Sequence, residues 1–81
     1  MNIEVLYFSL LRDISGAEKE SVVLDEAADV AGLLGTMFSR YPALADWDKS
    51  LLIAVNGEYA DRDRALADGD EVALMPPVQG G

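Results

Sequence analysis

Apolar residues along this chain change their spacing several times, and each change marks an element. Residues 2–8, NIEVLYF, are apolar at adjacent as well as alternate positions and rich in β-branched and aromatic types. That predicts a strand buried on both faces and central in its sheet. Ser9 has the chemistry to cap a short helical turn through Leu10, Leu11 and Arg12, with Gly16 where a left-handed helix end is wanted. Residues 20–24 predict a second strand. From Asp29, a good N-cap, Val30, Leu33, Leu34, Met37, Phe38 and Tyr41 recur at the three-and-four spacing of one helix face, and Pro42 ends that helix near Arg40. Gly32 and Gly35 lie inside it and each costs roughly 1 kcal/mol against alanine, so packing of the apolar stripe has to supply the stability. Such a stripe is core rather than a cofactor site.

Residues 51–55 form a short apolar run, and Asn56-Gly57 behind it is the dipeptide that most favours a type I′ hairpin turn into Glu58, Tyr59 and Ala60. Asp68-Gly69-Asp70 predicts another turn, after which residues 71–75 alternate polar and apolar in a last strand. Strand, strand, helix, hairpin and strand make an α+β arrangement, with one main helix on one face of a mixed sheet. This order resembles the β-grasp, or ubiquitin-like, layout, in which the first and last strands pair in parallel at the sheet centre. Residues 1–75 are then the β-grasp domain and residues 76–81 an extended C-terminal tail.

Composition removes most other function classes. With 81 residues, 51% apolar and 26% charged, the chain has room for one folded domain. No apolar run approaches the roughly 18 residues of a membrane span, and no signal-peptide pattern opens the sequence, so a cytoplasmic location is expected. Cysteine and histidine are both absent, which removes disulfides, the thiolate nucleophile, the imidazole base and the commonest zinc ligands. The chain is therefore not expected to be an enzyme on its own. Asp61-x-Asp63 continues with Ala65 and Leu66 where a calcium loop needs an oxygen ligand and then glycine, so no metal site is expected. No phosphate-binding glycine loop is present, so the chain binds no cofactor alone and any ATP belongs to a partner. Six Lys and Arg against fifteen Asp and Glu give a net charge of −9, which argues against nucleic acid and anionic membrane as partners. A basic protein surface is the natural complement, although the same acidity also serves solubility alone.

The C-terminus carries the candidate chemistry. Pro76-Pro77 cannot donate ladder hydrogen bonds and forces extended geometry before each ring, so the sheet stops and the chain leaves stiffly. Six residues fully extended span about 20 Å, enough to enter a partner's pocket. Gly80 and Gly81 have no side chains and fit a tunnel too narrow for other residues, delivering a bare carboxylate. A terminal glycine pair arises by chance in roughly one chain in 200 at a usual glycine frequency of about 7%, so the pair alone is suggestive. A carboxylate lacks a leaving group. Attack on the α-phosphate of ATP supplies one as an acyl-adenylate, from which sulfide can displace AMP to leave a thiocarboxylate, as can a persulfide once a thiol has cleaved the acyl disulfide it forms. A body without cysteine offers no thiol to compete for that sulfur.

The run DGDEVALMPPVQGG at residues 68–81, together with VLYFSLLRDISG, SRYPAL and LLIAVNGEYA, closely resembles the molybdopterin synthase small-subunit family over most of the chain. The resemblance implies a sulfur carrier of molybdenum cofactor biosynthesis whose Gly81 is adenylated by a ubiquitin-activating-type adenylyltransferase. A sulfur donor protein then converts it to thiocarboxylate. It further implies a heterotetramer with the synthase large subunit, two of each, in which the sulfur passes to cyclic pyranopterin monophosphate. Partner contacts map onto Phe8, Tyr59 and Met75 and onto the tail residues Pro76, Pro77, Val78 and Gln79. Phe8 keeps the family's usual aromatic type, whereas Tyr59 and Met75 depart from the commoner leucine and phenylalanine. Ordinary core packing is the alternative for these three. Two other functions stay open: a ubiquitin-like modifier that joins the same carboxylate to lysines, and a sulfur carrier of another pathway such as thiamine, which usually lacks the LLRDISG-like segment and the proline pair.

Overall fold

A computed structural model of the protein describes residues 1–77. The β-strands are β1 (Asn2–Tyr7), β2 (Lys19–Val23), β3 (Leu52–Val55), β4 (Glu58–Tyr59) and β5 (Glu71–Met75), and the helices are α1 (Leu10–Ser15), α2 (Val30–Arg40) and α3 (Pro42–Ala45), with a 3-10 turn at Asp48–Ser50. The five strands form one sheet in the order β2-β1-β5-β3-β4. β1 and β5 run in parallel in its interior, with Val5 beside Val72 and Tyr7 beside Leu74, and the other neighbours are antiparallel. This is the ubiquitin-like β-grasp layout.

The core lies between the sheet and α2. Ile3, Val5, Tyr7, Val22, Ile53, Val55, Val72 and Leu74 point to that side and meet Val30, Leu33, Leu34 and Met37, while Phe38 and Tyr41 pack at its margin. The α2 N-terminus is fully capped. Asp29 Oδ1 accepts the Gly32 amide at 2.9 Å, and the amides of Val30 and Ala31 donate to the carbonyls of Arg64 and Arg62 at 3.0 and 2.8 Å. Arg62 in turn grips the side chain and carbonyl of Asp48, so the loop before β5 is tied to both α2 and the 3-10 turn.

Two sequence expectations need correction. β1 is buried on one face only: Ile3, Val5 and Tyr7 are covered, while Glu4 and Leu6 are half-exposed, because α2 lies on one side of the sheet and no element covers the other among the described residues. Ser9 does not cap α1 with its hydroxyl. It sits at φ 57°, a region L-residues rarely adopt, away from the extended geometry that aims a capping side chain, and its carbonyl accepts the Arg12 amide at 3.1 Å instead. Gly16 does take the left-handed helix end, at φ 77°. Asn56 and Gly57 have φ values of 51° and 86°, as the type I′ turn demands. α3 is an addition, with Pro42 at its first position, where a missing N–H costs nothing.

Candidate docking face and tail root

The site is built on the sheet face turned away from α2. Cross-strand pairing sets Lys19, Leu6, Ala73, Ala54 and Tyr59 in one row across all five strands. One step along the strands, Leu52 pairs with Met75. Phe8 follows Tyr7, the partner of Leu74, and donates its amide to the Leu74 carbonyl at 3.2 Å, so it lies alongside Met75. Phe8, Tyr59 and Met75, singled out from the sequence, are thus on one face. Phe8 is 46% and Tyr59 75% exposed, too much for core residues, while Met75 is half-buried. Ala54 and Ala73, with small side chains, lie between Leu6 and Tyr59 in that row.

Charge is graded along this face. At the starting ends of β1 and β5, Glu4 pairs with Glu71, and Glu4 is held by Ser21 at 3.0 Å and, loosely, by Lys19 at 3.9 Å. The opposite end is apolar, formed by Phe8, Met75 and Leu52, and there β5 gives way to the half-buried Pro76 and Pro77. Exposed apolar surface of this kind, next to polar margins, marks an interaction site. Val78, Gln79, Gly80 and Gly81, the rest of the expected tail, lie outside the described residues.

Leu6 and Leu52 belong to the face and were not anticipated there: from the sequence, Leu6 reads within a strand buried on both faces, and Leu52 only as part of a short apolar run. Strand parity was the available signal: Leu6 alternates with Val5 and Tyr7, and a single helix covers one parity only. Leu10, 37% exposed, stands next to Phe8 at the strained Ser9 corner.

Among the described residues, no group of three or more acidic, histidine or cysteine side chains is placed to hold a metal ion. The main ionisable cluster lies on the α2 side and is structural. Glu20 accepts from the Tyr7 hydroxyl and from Arg40 Nη1 at 3.0 Å, tying β2 to the end of α2. Burial pushes the Glu20 carboxyl up, but hydrogen bonds from Tyr7, Tyr41 and Arg40 outweigh it and leave the group below the usual carboxylate range. Burial, then the Glu20 hydrogen bond and charge, push the Tyr7 hydroxyl well above the usual range.

The profile of the ThiS family matches residues 5–81. The chain belongs to that family. Among its relatives in the family's fold, the molybdopterin synthase sulfur carrier subunit of Chlamydomonas reinhardtii is 39% identical, with all of both chains covered. The small archaeal modifier protein 1 of Haloferax volcanii superimposes with a TM-score of 0.83 at 30% identity, covering 95% of this chain and 98% of that one. Subunit 1 or 2 of the molybdopterin-converting factor of Helicobacter pylori, solved as a protein–protein complex of the two, superimposes with a TM-score of 0.70 at 30% identity, all of both chains being covered. Along the described residues, and among helices, none is long and apolar enough to cross a membrane.

Proposed function

We propose that this chain is the sulfur carrier subunit of a molybdopterin synthase, working through the carboxylate of Gly81. The observation that carries this reading is the convergence of the helix-free apolar face on the root of a proline-led tail ending in Gly80-Gly81. The full-length likeness to subunits bearing that name supports it, as does the likeness to a two-subunit molybdopterin-converting factor. In this reading Phe8, Tyr59, Met75 and the half-buried Leu6 and Leu52 seat the large subunit, two of each chain assembling together. Residues 1–75 form the rigid body and residues 76–81 the arm, with Pro76, Pro77, Val78 and Gln79 threading the partner's channel. On an adenylyltransferase that binds ATP, the Gly81 carboxylate attacks the α-phosphate and expels pyrophosphate to form the acyl-adenylate; a donor protein's persulfide displaces AMP to give an acyl disulfide, and a thiol cleaves that S–S bond, leaving the thiocarboxylate and itself oxidised to a disulfide. The chain contributes binding and a reactive terminus, and its partners contribute the nucleotide site. The work takes place in the cytoplasm.

The test is reconstitution. The thiocarboxylated chain, mixed with a synthase large subunit and cyclic pyranopterin monophosphate, should yield molybdopterin, whereas the chain lacking Gly81 should not. An unchanged pterin, under conditions where a proven carrier converts it, would overturn the proposal. One observation favours a second reading: the likeness to a protein named a modifier. Joining Gly81 to lysine ε-amines would use the same adenylate, and lysine-linked conjugates recovered from cells would establish it.

A further inference from the structure

We propose that the Asn56-Gly57 turn is a covalent modification site at which this chain deamidates, and that Asp70 sets the rate by holding the Asn56 carboxamide. The two residues are exposed at the hairpin tip, and nothing lies within 4 Å of where a Gly57 side chain would project. The Gly57 amide nitrogen is therefore unshielded by any side chain of its own, the circumstance that makes asparagine followed by glycine the most labile asparagine pair. The other asparagine of the chain, Asn2, precedes the β-branched Ile3, whose bulk hinders the same attack.

The carboxamide is restrained at both ends. Asn56 Nδ2 donates to Asp70 Oδ1 at 2.9 Å, and Asn56 Oδ1 accepts the Glu71 amide at 2.9 Å. The acceptor is itself fixed, because Asp70 Oδ2 takes the Ala67 amide at 2.8 Å. That backbone bond, followed by the Asn56 bond, holds the Asp70 carboxyl below its usual range and so keeps it an ionised acceptor. For reaction, the Gly57 nitrogen must attack the Asn56 Cγ, so the carboxamide has to leave both partners. The nitrogen then gives up its proton and ammonia departs, closing a succinimide. Water opens the ring at either carbonyl to give aspartate or isoaspartate, with no oxidant or reductant involved.

The product changes the fold around the docking face. A carboxylate at position 56 has no donor for Asp70 and sets a second negative charge against it, where the intact side chain stapled the hairpin to the start of β5. β4 is a two-residue edge strand held through the Ala54–Tyr59 and Val55–Glu58 pairs and, just beyond it, the Ala60 amide on the Ile53 carbonyl at 2.9 Å, so loosening the tip disturbs the seat of Tyr59.

Ageing of the purified full chain at mildly alkaline pH tests this, read by the intact mass gain of replacing an amide NH2 with OH and by peptide mapping. Asp70→Ala should deamidate about tenfold faster than the parent, the equivalent of losing one hydrogen bond to a charged acceptor. Asp68→Ala is the control: Asp68 Oδ1 accepts the Asn2 amide at 2.6 Å in the same turn without touching Asn56, and its loss should leave the rate within about twofold of the parent. The folded parent should also age more slowly than the parent in urea. Equal rates for Asp70→Ala and the parent would overturn the proposal. So would a product that maps away from position 56, acceleration by Asp68→Ala as large as that by Asp70→Ala, or a folded parent that ages as fast as the unfolded one. None of these readings depends on sulfur transfer, so they stand or fall apart from the carrier function.

Discussion

Glu20 illustrates how single residues hold this fold. Its carboxylate takes hydrogen bonds from Tyr7 and Arg40, and those bonds are strongest while it is ionised. A carboxyl held below its usual range favours the folded state at pH values above the ordinary carboxylate range and withdraws that support as pH falls through its folded value. Glu20→Gln should therefore lower the melting temperature by a few degrees at neutral pH, with the gap to the parent narrowing in acid. Thermal melts of both chains at about pH 7 and about pH 3 check this, and a pH-independent gap would contradict it. Asn56→Asp reverses the sign. Its new carboxylate faces Asp70, so protonation of one of the pair is favoured in the folded chain, and the variant should be destabilised at neutral pH and regain stability as the solution is acidified.

At the scale of elements, α2 is held by its packed face more than by its composition. Gly35 lies on its solvent side with open space where a Cβ would go, so Gly35→Ala should stabilise the protein by about 0.5–1 kcal/mol, a rise of several degrees in melting temperature. Leu34 is on the buried side, 1% exposed, and Leu34→Ala should cost about 2–5 kcal/mol by denaturant unfolding. The periodicity from Val30 to Tyr41 was legible because a helix buried along one stripe writes that stripe into the sequence, and Asn56-Gly57 was legible because few residues tolerate two consecutive positive φ values. The open face was harder to read. Leu6 and Leu52 are as apolar as core residues, and local pattern does not distinguish a face covered by the chain's own helix from one that no described element covers. Ser9 misled for a related reason: its capping potential is intrinsic, but the sharp exit from β1 into α1 fixes its backbone where the hydroxyl cannot reach the helix amides. The Arg62–Asp48 tie is tertiary in origin and has no local signature, whereas α3 has one in Pro42 at its first position, expected from the sequence only to end α2.

At the scale of the whole molecule, the described residues place an apolar sheet face beside Pro76 and Pro77. Phe8 and Tyr59 are exposed, so Phe8→Asp and Tyr59→Ala should leave the melting temperature nearly unchanged while weakening association with the synthase large subunit by about 1–2 kcal/mol in calorimetric titration. A large loss of stability in either variant would mean that these side chains serve the core instead. The proposed carrier role rests on the Gly81 carboxylate, and the most direct measurement is the intact mass of the chain after incubation with the proposed adenylyltransferase, ATP and a sulfur source. Replacement of one oxygen by sulfur, lost when Gly81 is deleted, is the expected result; an unchanged mass, with the same enzyme shown to load another carrier, would contradict it.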